Sequence, residues 1–209
     1  MMWLTIPAGF LGGALLWSFT EYAMHNWRGH KGKGRNAFSR EHLAHHADSD
    51  YFTPTPHKVK VASVATLIMM PLAILIGTVG PGIAFTLGFL LSYVGYEVLH
   101  RRVHTHPPVG PYGRWARKHH FYHHFSRPNL NHGVTSPIWD VVFGTLETPE
   151  MVRVPAKKAM SWLLDPETGD VAEAYAADYV LVRRGDKRRA REARDRRKST
   201  ASQEASASA

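Results

Sequence analysis

The residues in this chain that could do chemistry are histidines, and they come in a pattern. All 14 lie between His25 and His132. His42, His45 and His46 form a His-x-x-His-His run, and His120, His123 and His124 repeat it. On a helix, positions i, i+3 and i+4 share a face, so each run projects three imidazoles together. His100 and His104 add a pair at i and i+4. His25 and His30 stand five apart, which on an α-helix puts at least one of them past its end, where Gly29 offers a break.

These ten imidazoles, from four segments, read as metal ligands. One ion takes about four to six ligands, so ten are too many for one and suit two. The chain has no cysteine, which excludes disulfides, zinc–thiolate sites and iron–sulfur clusters. Imidazole suits iron, zinc, copper and nickel, so ligand type alone does not choose the metal. The Glu-rich pattern of soluble di-iron bundles is missing. Beside prolines and off the repeats, His57 and His106 read as non-ligands. His119 is expected to face away from the site or to support a ligand. His132 is either such a support or an unrelated loop residue. Glu21 and Glu97, each upstream of a histidine, could accept the free N–H of a ligand ring or sit as helix-end carboxylates. Asp140 reads as structural, a partner for an arginine or a helix end.

The elements that must hold these residues are membrane helices. Met1 to Thr20 carries no charge and is long enough to span. A cleaved signal peptide would want a basic start and a small-x-small site, and neither is clear. The helical pattern also runs on through His25. Arg28 to Asp50 is polar, with Ser39 as the expected N-cap of a helix carrying His42. Residues 51–57, with Pro54 and Pro56, read as extended. Val61 to Val79 is an uncharged run that Pro71 should kink. Gly80-Pro81-Gly82 is expected to turn the chain into a second arm, Ile83 to His104. Tyr112 to Phe125 is a further helix, and Ile138 to Phe143 a short apolar one stopped by Gly144. The fold class is therefore all-α, an integral membrane bundle of three to four membrane helices with a histidine-rich metal-binding cap. The rival is a buried hairpin of a soluble protein.

One helix followed by a hairpin brings all four histidine segments to one membrane face. That face carries Lys31, Lys33, Arg35 and Arg40, whereas the hairpin tip has no charge, so the positive-inside rule places it in the cytoplasm. Residues 1–150 are expected to form the membrane domain. Residues 151–182 are expected to be a peripheral helical segment, with helices at Met160–Leu164 and Val171–Leu181. Residues 183–209 are expected to be a disordered basic tail. The net charge of +9 is concentrated there: ten Lys/Arg against three acids lie between Arg183 and Lys198. No nucleic-acid-binding fold accompanies that run, and an anionic membrane surface is the expected partner.

The order His25/His30, His42/His45/His46, His100/His104, His120/His123/His124 resembles the fatty acid hydroxylase/sterol desaturase superfamily. Glu21-Tyr22, the stretch from His46 to Pro54, Gly133-Val134-Thr135, Trp139-Asp140 and Phe143-Gly144-Thr145 are similar in their flanks. The resemblance covers about Trp17 to Glu147, and the last of these runs favours the fatty acid 2-hydroxylase-like branch. It implies two iron ions held by the ten histidines, with zinc as a possible substitute. It also implies O2 as co-substrate and hydroxylation or desaturation of a lipid C–H bond. No cytochrome b5 domain fits in the chain, so a separate ferredoxin or cytochrome with its reductase would supply the electrons. A carotenoid hydroxylase or sterol desaturase of the same chemistry is the alternative. A non-catalytic histidine-rich metal carrier is a third reading. The fixed helical spacings argue against it, because a carrier favours loose histidine tracts.

Overall fold

The computed structural model describes residues 2–183 and 185. The chain divides after Glu150 into two compact units. In the first, helix α1 (Met2–Ala23) does not break at Gly29. It rewinds into a π-helical stretch, Met24–His30, and only then turns. Helices α2 (Ala37–Ala47), α3 (Thr55–Gly77), α4 (Val79–Thr105), α5 (Gly110–Phe125) and α6 (Ile138–Val142) follow.

Local chemistry sets the boundaries. The cap of α2 is Asn36, not Ser39: the Ser39 N–H donates to the Asn36 side-chain oxygen at 2.9 Å. The Ser39 hydroxyl is engaged elsewhere, donating to the Gly29 carbonyl at 2.5 Å and so tying α2 to the π stretch. Helix α3 starts earlier than its apolar run, with Pro54 as cap and Pro56 in the first turn, where proline is tolerated. The hairpin between α3 and α4 bends at Thr78, which has a positive φ of 71°. Gly80-Pro81-Gly82 is therefore not the turn but the opening of α4.

Helices α3 and α4 are long and apolar enough to cross a membrane. Large apolar side chains along α3 point outward, with Leu75 82% and Ile76 87% exposed. A surface that apolar demands a lipid or protein cover. Helix α1 packs along α4 at close range. A Cβ on Gly13 would stand 1.9 Å from the Phe85 carbonyl oxygen, and one on Gly88 2.0 Å from that of Phe10. Small residues thus let the two backbones meet, as between membrane helices generally. Towards the histidine end Trp17 of α1 packs on Phe89 and Tyr93 of α4, with ring centroids 5.3 and 4.9 Å apart.

The second unit corrects an expectation. Its described part is not helical: β1 (Val152–Pro155) pairs in parallel with β2 (Tyr179–Val182), joined through three single 3-10 turns. Val152, Val154 and Tyr179 are buried with Met160 and Leu163. Their β-branched and aromatic neighbours favour a pleated strand, and the alanines of residues 172–177 support only one turn. Apart from Arg183 and Gly185, the basic segment expected to be disordered lies outside the described residues.

Candidate metal centre

The ten histidines of the four segments come together as two groups of five. His25, His30, His42, His46 and His123 form one, and His45, His100, His104, His120 and His124 the other. In each, one ring nitrogen per residue lies within 4.8 Å of all the others. Donors about 2.1 Å from a shared ion stand no more than about 4.2 Å apart, so closure by a few tenths of an ångström would convert either group into a coordination sphere. The groups adjoin. His46 of the first stacks on His124 of the second with ring centroids 4.0 Å apart.

Backbone geometry explains the grouping. In a π-helix the hydrogen bond runs from i to i+5. The five-residue spacing of His25 and His30 is therefore one turn, and both rings enter the same group. Gly29 lies between them for a steric reason: a Cβ there would stand 2.9 Å from the His42 ring and 3.2 Å from the Met24 carbonyl oxygen. Each His-x-x-His-His run divides between the groups. His42 and His46 go one way and His45 the other, while His123 separates from His120 and His124.

Three rings are oriented by main-chain carbonyls. Nδ1 of His25 meets the His132 carbonyl at 2.5 Å, that of His45 the Tyr51 carbonyl at 2.8 Å, and that of His123 the Leu130 carbonyl at 2.6 Å. A carbonyl only accepts, so each Nδ1 carries the proton and each Nε2 keeps its lone pair. The Nε2 atoms of His25 and His45 are buried with no hydrogen-bond partner, as are Nε2 of His100 and both nitrogens of His124. Elsewhere Nε2 atoms meet each other, at 2.8 Å for His30 and His42, 3.0 Å for His30 and His123, and 3.0 Å for His104 and His120. Lone pairs converging on a shared point in a buried site are what a cation relieves.

Burial, reinforced by neighbouring rings, pushes the His25, His42, His120, His123 and His124 imidazoles well below their ordinary range. His45 is lowered by burial as well, and His30 falls to about 4. Neutral imidazole is the form that binds metal.

Outside the groups, several expectations change. Glu21 does not reach His25. Its carboxylate accepts from the Val134 N–H at 2.5 Å and from the Thr135 N–H and hydroxyl at 2.9 and 2.6 Å, pinning α1 to the loop after α5. Glu97 pairs with Lys58 of α3, not with a histidine. Asp140 is the anchor of that same loop. It accepts from the His132 and Gly133 N–H groups at 2.8 Å each and from the Thr145 hydroxyl at 2.7 Å. The rings of His119 and His132 stand 3.5 and 3.7 Å from it. Burial alone would raise this carboxyl, but those neighbours outweigh it and hold it well below the usual carboxylate range. His119 thus faces Asp140, and His132 supports His25 through its carbonyl. His57 and His106 are exposed and belong to neither group. Sequence reasoning missed the carbonyls of Tyr51, Leu130 and His132, which have no side-chain signature. It also missed Arg117. That side chain is buried and donates to the Arg102 and His106 carbonyls, fastening the C-terminal end of α4 to α5.

Comparison with known proteins bears on what such a centre does. A dihydroceramide fatty acyl 2-hydroxylase, FAH1, of Arabidopsis thaliana is 33% identical over 150 residues, covering 68% of this chain and 61% of that protein. A fatty acid 2-hydroxylase of Mus musculus is 32% identical over 149 residues, covering 66% of this chain and 39% of the mouse protein. The chain thus spans less than two thirds of the length of these relatives. A solved structure described as full-length scs7p with only the hydroxylase domain visible superposes with a TM-score of 0.58 at 28% identity, over 70% of this chain and 58% of that one. The fatty acid hydroxylase family model matches residues 10–145, a span that includes both histidine groups, and the chain belongs to that family.

Proposed function

We propose that this protein is a membrane-bound di-iron oxygenase that hydroxylates a fatty acyl chain, free or held in a sphingolipid, at the carbon next to the carbonyl. The observation that carries the reading is the pair of adjoining five-histidine groups, in which the Nε2 atoms of His25, His45, His100 and His124 are buried with no hydrogen-bond partner. Two ions suit ten imidazoles, one per group. The reaction balances as R–H plus O2, two electrons and two protons giving R–OH and water. Bound iron would supply O2 activation and C–H cleavage, which zinc in the same ligands could not, since it has no redox chemistry. The protein's own residues hold the ligand rings through the Tyr51, Leu130 and His132 carbonyls. They also wall the centre with Phe38, Phe52 and Tyr96 and keep the imidazoles neutral. Helix α1 serves as a third span beside α3 and α4. The histidine end faces the cytoplasm, where a separate ferredoxin or cytochrome with its reductase delivers electrons.

Expression in a host lacking its own acyl hydroxylase, followed by mass spectrometry of total lipids, tests the reading. A 2-hydroxy acyl product that disappears in His45→Ala supports it. A hydroxylated carotenoid ring or an oxidised sterol would assign the same chemistry to another substrate. An unchanged lipid profile with iron bound would overturn it.

A further inference from the structure

The turn that joins the π stretch to α2 supplies no ligand of its own, yet it gathers exposed charge. Arg28, Lys31, Lys33, Arg35 and Arg40 are all exposed, and no acid lies among them. Glu41, which follows, is engaged by the Tyr51 and Thr53 hydroxyls at 2.5 and 3.3 Å. Hydrogen bonds hold the five cations around one turn of chain. The Ser39 hydroxyl accepts the Gly34 N–H at 2.8 Å and donates to the Gly29 carbonyl at 2.5 Å. The Asn36 amide donates to the Arg28 carbonyl at 3.2 Å, and the Arg40 guanidinium to the Gly34 carbonyl at 3.3 Å. Gly32 lets the turn close, since a Cβ there would stand 2.2 Å from the Arg28 carbonyl oxygen. Lys33 has a φ of 48°, a left-handed conformation that suits glycine and strains a residue with a side chain. An exposed lysine held in such a conformation points to binding, not packing. The turn also adjoins the metal centre. His30 belongs to the first group, and its carbonyl accepts the Lys33 N–H at 3.1 Å.

We propose that this basic turn is the docking surface of the electron donor, a small acidic one-electron carrier, and that electrons enter the centre through the first histidine group. Opposite charge steers such an encounter and fixes its orientation while leaving the complex easy to dissociate. That suits a carrier that must return: each encounter oxidises it by one electron, so two encounters supply the two electrons of the reaction. Anionic lipid is the rival occupant, and the geometry disfavours it. Helix α1, 22 residues long, is about the length of the hydrocarbon layer. The π stretch of seven residues then lifts the turn roughly 8–10 Å further, to the outer edge of the headgroup layer or beyond it. The inference rests on the oxygenase reading.

The test uses the full-length protein in phosphatidylcholine nanodiscs. Binding of an acidic [2Fe–2S] ferredoxin and of a soluble cytochrome b haem domain to the metal-free protein is measured by surface plasmon resonance. The native chain is compared with Lys31→Gln/Lys33→Gln, Lys31→Glu/Lys33→Glu and Arg153→Glu. The last removes as much positive charge as the glutamine pair, but from an exposed position on β1. The native chain is expected to bind one of the carriers, at least tenfold more weakly in about 500 mM salt than in about 50 mM. The glutamine pair should weaken binding about tenfold and the glutamate pair further, whereas Arg153→Glu should leave it unchanged. In iron-loaded protein KM for the carrier should rise by the same factors, with iron per chain and melting temperature as in the native chain. Binding of neither carrier, binding indifferent to salt and to the glutamine pair, or an equal loss in Arg153→Glu would each overturn the proposal. So would retention of phosphatidylglycerol by the native chain, seen by native mass spectrometry and lost in the glutamine pair, with no carrier bound. If the carrier binds through the turn and no lipid is oxidised, the hydroxylase reading fails and the docking surface stands. If hydroxylation in the glutamate pair keeps the native KM for the carrier, the docking surface fails and the hydroxylase reading stands.

Discussion

Each histidine of the centre has a partner on the side away from it or a neighbour within it, so single substitutions should report on single groups. His42→Ala removes a donor from the first group and His45→Ala one from the second. Each is expected to lower iron from about two to about one ion per chain, read by plasma mass spectrometry, with product falling below a hundredth. Equal loss of both ions from either variant would mean that the groups load as one unit. Asp140 acts at one remove. Asp140→Asn leaves a loop N–H or the Thr145 hydroxyl poorly paired, which costs about 1.5–3 kcal/mol. It also loosens the His132 carbonyl that orients His25, so iron affinity should drop roughly 10–100-fold. The buried rings carry a pH dependence whose sign can be worked out. Their folded pKa values lie below the unfolded value of about 6.5, with His30 at about 4. Below pH 6.5 the unfolded chain therefore binds more protons than the folded one. The contribution of these rings to stability is full above that pH and declines as pH falls towards 4. Asp140, held low, adds to the loss below about pH 4. Tryptophan fluorescence of the metal-free protein should show its melting temperature falling from pH 7 to pH 5, and a flat profile would contradict the burial. The ten histidines were legible because spacing alone carries them. For Glu21 and Glu97 two readings stayed open, because sequence proximity to a histidine does not give direction, and their partners, Val134, Thr135 and Lys58, are 113, 114 and 39 residues away.

At the scale of elements, the centre depends on two close approaches made possible by glycine. Gly29→Ala should push the His42 ring out of the first group while leaving the second intact. Loss of one iron with a nearly unchanged melting temperature is the expected result. Gly13→Ala acts differently. Its Cβ would collide with the Phe85 carbonyl, so α1 must move off α4 and take the π stretch with it. Overpacking of this kind costs about 1–3 kcal/mol, and here the melting temperature and both irons should fall together. If Gly13→Ala spared stability, the close packing of α1 on α4 would not be what holds the centre. The helices themselves were readable from uncharged runs and punctuation by proline and glycine. The π stretch was not. Rewinding from α to π leaves no compositional mark, and the five-residue spacing of His25 and His30 looks like a helix end until the backbone shows otherwise. The strands of the second unit were obscured in the same way, since runs of four residues such as Tyr179–Val182 are too short for periodicity to declare.

For the whole molecule, the arrangement of charge predicts which way it lies. The connection between α3 and α4 around Thr78 has no charged residue, whereas Lys31, Lys33, Arg35 and Arg40 surround the opposite, histidine-bearing end. Positively charged segments flanking membrane helices stay in the cytoplasm. One crossing by each of α1, α3 and α4, with the histidine end in the cytoplasm, would place residue 50 on the cytoplasmic side and residue 79 on the other. The natural absence of cysteine makes this directly measurable. Asp50→Cys and Val79→Cys each introduce one thiol at an exposed position. With a membrane-impermeant maleimide, Val79→Cys should label in intact spheroplasts and Asp50→Cys only after lysis. The reverse result would put the histidine end outside, away from any cytoplasmic ferredoxin or cytochrome, and the proposed electron supply would have to be abandoned. Labelling of both before lysis would mean that α3 and α4 do not cross as a hairpin. Their exposed leucine and isoleucine rows would then have to be covered by another protein instead of lipid.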